Sequence, residues 1–297
     1  MKSTKIFLLI LSQVFVNQYI FTQSNSVFSE VKKEEDEKQR KEKELHIKKM
    51  EGTVFYFEQH PMCFRNKGEV EGVESDILKE FVTWARNKKN MEISLQFEPY
   101  FNFEEFLGAV SSGGPMVIGA GTVAIKDERK KDLIFSPPYM NNVSVFITQG
   151  IVPSISSKEE SVNILKGMKG IVTKNAVHMG YMEDIKKTYL PGMTIEYAKK
   201  PIEVIEKISS DARYFGYVDI VTFWQYLKQS DKYIKIQRVL NIKEEKFGFI
   251  MPKQSEFSVL MQEFFDSGFG FTSTKTYQAI LEKHLGYEVI STVEIRQ

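Results

Sequence analysis

Arg129 is the residue whose neighbours best equip it for chemistry. It lies in Gly121-Thr122-Val123-Ala124-Ile125-Lys126-Asp127-Glu128-Arg129, a run that continues to Phe135-Ser136-Pro137-Pro138-Tyr139. Small residues end a strand with backbone groups left free, a helical turn brings up the arginine, and Phe-Ser-x-x-Tyr closes the segment. Such an arrangement holds anions. A guanidinium is a rigid fork that pairs bidentately with a carboxylate, worth about 1.5–3 kcal/mol as a charge-assisted hydrogen bond and more where water is excluded. The plainer alternative is a structural ion pair with Asp127 or Asp132. Other reactive side chains offer less. The four histidines, His46, His60, His178 and His284, share no metal-ligand spacing. Cys63, the single cysteine, has no histidine beside it in sequence and reads as packing. Gly113, Gly114, Gly119 and Gly121 lack the Lys-Ser/Thr of a phosphate loop. No metal and no cofactor is expected.

The elements that must position Arg129 alternate between strand and helix. Thr53 to Phe57 is a β-branched and aromatic run stopped by His60-Pro61, and Glu74 to Arg86 places Ile77, Leu78, Phe81 and Ala85 on one helical face. Strand 93–97, helix 103–110 and strand 116–120 follow. Val143 to Ile147 alternates like a strand, and the Pro/Ser-rich stretch 150–157 breaks the chain before a second series. That series reads as strand 170–172, helix 179–188, strand 194–197, helix 201–209, strand 214–221 and helix 223–229. Segments 233–236 and 247–251 are strand-like, and helices 257–265 and 274–284 close the chain. The alternation implies an α/β fold with mainly parallel sheets flanked by helices.

The block from Gly121 to Tyr139 resembles the fingerprint of the family 3 extracellular solute-binding proteins, whose amino-acid-binding fold is shared with glutamate-receptor ligand domains. Pro61 with Phe64, Gly72-Val73-Glu74-Ser75-Asp76-Ile77-Leu78, Phe103 to Val110, Gly216 to Val221 and Phe247 to Pro252 extend the likeness from about Gly52 to the end of the chain. The resemblance implies a two-lobed type-II periplasmic-binding fold with a two-strand hinge near Val143–Thr148 and Ile236–Ile242. It also implies that Arg129 holds a ligand carboxylate, that Phe103 stacks on the ligand, and that Tyr56 and Gln59 line the rim. Lobe two would add the backbone amides of Asn175, Ala176 and Val177 at a helix start, where amides lack intrahelical partners.

Two positions depart from the family pattern. Ala124 stands where a Thr or Ser hydroxyl is usual, five residues before the arginine, and Thr122 would supply a hydroxyl from a different place. Trp224 stands five positions after Asp219, where an acidic residue normally holds the ligand's ammonium. An ammonium left without its carboxylate in a desolvated cleft loses about 2–5 kcal/mol, roughly 30-fold to several thousand-fold in affinity. Trp224 offers instead a cation–π face or an apolar wall. The expected ligand is therefore an acid without an α-amino group, an aromatic, or something larger, and not a standard amino acid. The plainer readings are that Phe103 and Trp224 simply pack in cores.

Forty Lys plus Arg against 39 Asp plus Glu leave a net charge of +1 and no electrostatic reason for a nucleic-acid partner. Lys2 and Lys5 ahead of the apolar run Ile6 to Val16 read as a signal peptide, residues 1–24, so the mature protein is expected outside the cell or in the periplasm. Residues 25–51 form a charged linker or solvated helix. Lobe one is expected over 52–144 and 239–297, and lobe two over 145–238. The reading is a monomeric, non-enzymatic binding protein for a small-molecule solute, working with a membrane permease or a receptor. Its alternatives are a degenerate clamp kept as a protein-interaction or sensory module, and a dehydratase-like enzyme, for which Glu58 and Asp219 are the available carboxylates although both read as structural.

Overall fold

The computed structural model describes residues 47–287 together with 32, 33, 38, 289 and 290. The expected signal peptide and most of the expected linker lie outside the described residues. The chain divides into a small unit, residues 1–49 with 90–92, and a large unit, 50–89 with 93–297. In the small unit Lys49 Nζ lies 3.6 Å from the exposed carboxylate of Glu92, a pair that contributes little in water. The large unit carries the site.

Strands β1 (Lys48–Phe57), β2 (Phe64–Asn66) and β3 (Glu69–Glu71) precede helix α1 (Val73–Lys89), β4 (Met91–Tyr100), α2 (Phe103–Ser111) and β5 (Val117–Ala124). A 3-10 turn, Arg129–Lys131, leads to β6 (Leu133–Phe135) and β7 (Met140–Gln149). Then come α3 (Lys158–Ile164), β8 (Lys169–Thr173), α4 (His178–Thr188), β9 (Ile195–Ala198), α5 (Pro201–Ser210), β10 (Tyr214–Asp219) and α6 (Ile220–Gln229). The chain returns through β11 (Ile234–Ile236), a 3-10 turn at Arg238–Leu240 and β12 (Ile242–Pro252), followed by α7 (Ser258–Phe265) and α8 (Lys275–His284).

The main sheet runs β4-β1-β5-β12-β7-β10-β8-β9, with β11 on β7 and β6 on β12. Its two flanks contain the parallel pairs expected of β-α-β units: β1 with β5, β10 with β8, and β8 with β9. The centre is antiparallel, because β12 pairs with both β5 and β7, and β7 pairs with β10. β7 and β12 thus join the two flanks, and each flank has its own core. Phe57, Phe106, Val110 and Ile250 belong to one buried cluster, and Phe146, Val172, Met182 and Phe215 to the other.

Local sequence explains the elements that bear on the site. All eight residues of β5 are buried, as an apolar run of small and branched residues between two partner strands requires. A Cβ on Gly121 would lie 2.7 Å from the Phe106 ring, so a glycine there lets α2 pack onto the sheet. A Cβ on Gly216 would lie 2.2 Å from the Ile171 carbonyl oxygen, which makes that position the close approach between β10 and β8. In α1 the acidic residues Glu74 and Asp76 fall in the first turn and Arg86, Lys88 and Lys89 in the last, matching the helix dipole.

Asp76 also ties α1 to α8. Its carboxylate accepts from Lys79 Nζ at 2.8 Å, and from Lys283 Nζ and His284 Nε2 at 2.7 Å each. Burial pushes this carboxyl up, but the hydrogen bonds from Lys283, Lys79 and His284 outweigh it and hold the group below the usual carboxylate range. A depressed native pKa stabilises the fold above the unfolded value of about 4, and the contribution is lost as pH falls through the native value. Asp76→Asn is therefore expected to lower the melting temperature at pH 7 and to flatten its fall between pH 5 and 3. Melting curves across that range check both signs.

Candidate ligand-binding cleft

The site begins where β5 ends. Thr122 has φ of +49°, a left-handed conformation that a β-branched residue rarely adopts. It is held there by Glu74 Oε1, which accepts from the amides of Gly121 at 3.0 Å and Thr122 at 2.9 Å, and from Tyr139 Oη at 2.5 Å. The strand end expected to leave its backbone groups free therefore has those amides occupied by a buried carboxylate. The bend turns the Thr122 hydroxyl to Gln59, donating to Oε1 at 3.1 Å, and Gln59 Nε2 donates to Thr222 Oγ1 at 2.8 Å.

The 3-10 turn then lifts Arg129 back over the strand end. Its Nη1 donates to the Ala124 carbonyl at 3.1 Å and its Nη2 to the Asn175 carbonyl at 2.8 Å, with the guanidinium carbon 5.8 Å from the Phe103 ring centroid. Burial lowers its pKa from the ordinary value while Glu245 and Asp219 pull it back, and a guanidinium remains protonated in either case. Arg129 thus bridges β5 to the segment after β8. The ion pairs expected as its plainer alternative are not its contacts: Asp127 pairs with Lys130 instead.

Gln59, Phe103, Thr122, Ala124, Arg129 and Ala176 all line one cavity of about 20 Å³. That volume holds a water molecule and no amino acid. A second space of about 220 Å³, lined by Glu58, His60, Lys200 and Gln225 among others, shares Phe57, Gln59 and Pro201 with it, and Thr222, the acceptor of the Gln59 amide, lines this second space.

Three of the expected site residues fall elsewhere. Tyr56 is fully buried and packs edge-on to Phe97. Successive strand side chains face opposite ways, so Phe57 takes the cavity side. Asn175 contributes its carbonyl to Arg129, but its amide donates to Met179 Sδ and that of Ala176 to the Thr173 carbonyl; these two amides are not free donors. Trp224 is half-buried, packs against Phe223 and is not part of the cavity lining. The cause is the start of α6 at Ile220, three residues earlier than the sequence pattern implies. Residue 224 is thereby carried past the first helical turn, and Asp219 stands at the cavity.

Asp219 belongs to a buried polar cluster that sequence reasoning did not assemble. Asn142 Nδ2 donates to Asp219 Oδ1 at 2.5 Å and to Glu245 Oε2 at 2.9 Å. Ser144 Oγ donates to Glu245 Oε2 at 2.5 Å and lies 2.9 Å from His178 Nε2. Because the serine proton is committed to Glu245, His178 Nε2 carries the hydrogen between them. Tyr181 Oη donates to Glu245 Oε1 at 2.5 Å and accepts from Lys126 Nζ at 2.9 Å. Tyr181's phenol is raised by burial and by the Glu245 carboxylate. Ligand atoms of His178, Asp219 and Glu245 lie within 4.8 Å of one another, a grouping hidden from motif spacing because the three are far apart in sequence. Cys63 is buried, and burial followed by Glu74 and Glu58 pushes its thiol well up, in keeping with packing.

The fold thus places Arg129 at a small cavity beside the end of β5. The chain belongs to the bacterial extracellular solute-binding proteins, family 3, whose family model matches residues 54–287. Among solved structures, an ancestral arginine-binding protein bound to arginine is similar at 21% identity and TM-score 0.63, over 80% of this chain and 98% of that one. The arginine-, lysine-, histidine-binding protein ArtJ of Geobacillus stearothermophilus is 20% identical with TM-score 0.62, over 80% and 96%. An ancestral amino acid-binding protein described as a precursor of cyclohexadienyl dehydratase is 20% identical with TM-score 0.56, over 79% and 94%. At these identities the likeness is one of fold. Among curated protein sequences none matches significantly. The family is extracellular, and no helix among the described residues is long and apolar enough to cross a membrane.

Proposed function

We propose that this protein closes two lobes, 52–144 with 239–297 and 145–238, on a small carboxylate-bearing solute and delivers it for uptake or sensing, without catalysis. The observation that carries the reading is the Arg129 fork at the cavity, whose two hydrogen bonds go to neutral carbonyls, Ala124 O and Asn175 O. A ligand carboxylate competes well for that fork, since a charge-assisted pair is about twice as strong as a neutral one. Because the cavity is only about 20 Å³, in this reading the solute enters as the lobes part and takes the place of the Asn175 carbonyl. Trp224, outside the cavity lining, neither supplies nor denies a partner for an ammonium, so amino acids remain within the reading. The fold neighbours that bind arginine, lysine, histidine and other amino acids support a ligand of that size.

The test is a thermal-shift screen of the protein from residue 47 onward against amino, keto and hydroxy acids. A ligand at 100 times its dissociation constant adds about 2.7 kcal/mol to stability. Arg129→Ala is expected to weaken every acid that binds by about 30-fold or more. An acid that stabilises wild type and the Arg129 variant alike would remove the carboxylate role from this residue.

A further inference from the structure

We infer that Lys174 and Glu104 form a latch across the mouth of the cleft, a pair of positioning residues that keeps the segment after β8 docked on α2 while Arg129 exchanges the Asn175 carbonyl for a solute. The inference rests on the proposed two-lobe closure and names a contact that holds it shut.

Asn102 caps α2, its side chain accepting from the amides of Glu104 at 2.9 Å and Glu105 at 3.3 Å, which fixes the turn from which the Glu104 side chain projects. The Glu104 carboxylate lies 2.7 Å from Lys174 Nζ. Among the described residues this is the one Lys or Arg ion pair joining residues 145–238 to 52–144 or 239–297. The hydrogen bond from Lys174 holds the Glu104 carboxyl below the usual carboxylate range, so the pair is charged on both sides at neutral pH. Lys174 is followed by Asn175, whose carbonyl accepts from Arg129 Nη2 at 2.8 Å, and by Ala176, which packs against the cluster of Phe57, Phe103 and Phe106. A second lysine reaches the same helix start from a different loop: Lys200, ahead of α5, places its Nζ 5.0 Å from the Phe101 ring centroid.

A solute carboxylate that takes Arg129 releases the Asn175 carbonyl, so residues 174–176 lose one tie to the first lobe at the moment closure is needed. The Lys174–Glu104 pair does not involve Arg129 and survives that exchange. Its side chains are 54% and 43% exposed, which makes it sensitive to salt, since the screening length is about 10 Å at 0.1 M. An exposed pair of this kind shifts an equilibrium by about 2–5-fold and no more. Because the contact exists only while the lobes are together, its effect falls on opening, and therefore on the rate at which a bound solute leaves.

The test reads the separation of the lobes directly, by electron spin resonance between nitroxide labels on Lys187→Cys and Lys275→Cys in the full chain. Both positions are exposed, one in each proposed lobe, and Cys63 is buried away from the label. At about 0.05 M NaCl, Glu104→Gln and Lys174→Gln are each expected to lower the ratio of near to far separations by about 2–5-fold. The exchange Glu104→Lys with Lys174→Glu should restore part of it, the remainder being lost because a lysine in the first turn of α2 opposes the helix dipole. Raising NaCl to about 0.5 M should lower the ratio in wild type and leave the two neutral variants unchanged, a response that a merely structural role would not produce. An equal salt response in wild type and both neutral variants would overturn the latch and leave closure standing. One unchanging separation in wild type, in Arg129→Ala and in every latch variant, at low and high salt, would overturn the two-lobe closure as well.

Discussion

Replacing Glu74 by alanine is expected to lower the free energy of unfolding by about 3–5 kcal/mol, in the range found when one partner of a buried charged network is removed. Glu74 is fully buried, and its Oε1 alone accepts the amides of Gly121 and Thr122 and the hydroxyl of Tyr139. Alanine would leave two buried amides and a phenol without an acceptor, at about 1–3 kcal/mol for each group that finds no water. It would also release Thr122 from a backbone conformation that costs on the order of 1–3 kcal/mol to hold. Part of the loss would be recovered as the strand end relaxes, and the relaxed strand would no longer turn the Thr122 hydroxyl to Gln59.

Glu74→Gln separates the hydrogen bonds from the charge. Burial pushes the Glu74 carboxyl up from its ordinary value, against the hydrogen bonds from Tyr139, Thr122 and Gly121. An acid with a raised native pKa binds its proton more tightly when folded, so stability falls as pH rises from the unfolded value of about 4.3 to the native one. Glutamine keeps an acceptor for the amides and has no such slope. It should cost less than alanine at pH 7 and nearly remove the decline above pH 4.3 that Glu74 contributes. Urea unfolding of the three proteins at several pH values reads both effects, and an alanine variant within 1 kcal/mol of wild type would show that Glu74 does not hold the strand end.

Much of this was legible from sequence because it is local. The apolar positions Ile77, Leu78, Phe81 and Ala85 mark the buried face of α1, and the buried strand read over 116–120 is the first half of β5, which continues to Ala124. The arginine's place at the cavity followed from the block around it. The errors are equally physical. Ile220-Val221 looks like more strand, yet the chain turns into helix at 220, since propensity is a weak prior that tertiary packing overrides. Trp224 was singled out by its family-like spacing from Asp219, and it lies within α6 outside the cavity lining, while Asp219 lines the cavity. The cluster around Glu245 was not legible at all. Ser144 and Glu245 are 101 residues apart and meet only because β7 and β12 pair antiparallel with Ile242 opposite Ser144. Polar Asn142 and Ser144, buried on alternate positions just before the apolar run Val145-Phe146-Ile147, were the available signal.

Glu245→Ala is expected to cost about 3–5 kcal/mol as well, and to change the proposed closure more than the Glu74 variant does. Glu245 sits on β12, accepts from Asn142 and Ser144 on β7, and accepts from Tyr181 on α4, while Lys126 beyond β5 reaches Tyr181 and approaches the same carboxylate. Residues from both flanks of the sheet thus converge on one carboxylate at the strands that join them. Without it, Lys126 and Tyr181 lose their common anchor, and under the proposed two-lobe closure the closed arrangement becomes a smaller fraction of the population. Apparent affinity for any bound acid falls by that fraction, although Glu245 does not line the cavity. Tyr181→Phe alone should show a weaker form of both effects. In the double variant Glu245→Ala/Tyr181→Phe the second change should add almost nothing, because residues sharing one network are coupled by about 0.5–3 kcal/mol. Unfolding and binding measured across that cycle decide the matter: strict additivity would mean that Tyr181 and Glu245 act separately, and unchanged affinity in Glu245→Ala would mean that closure does not depend on this carboxylate.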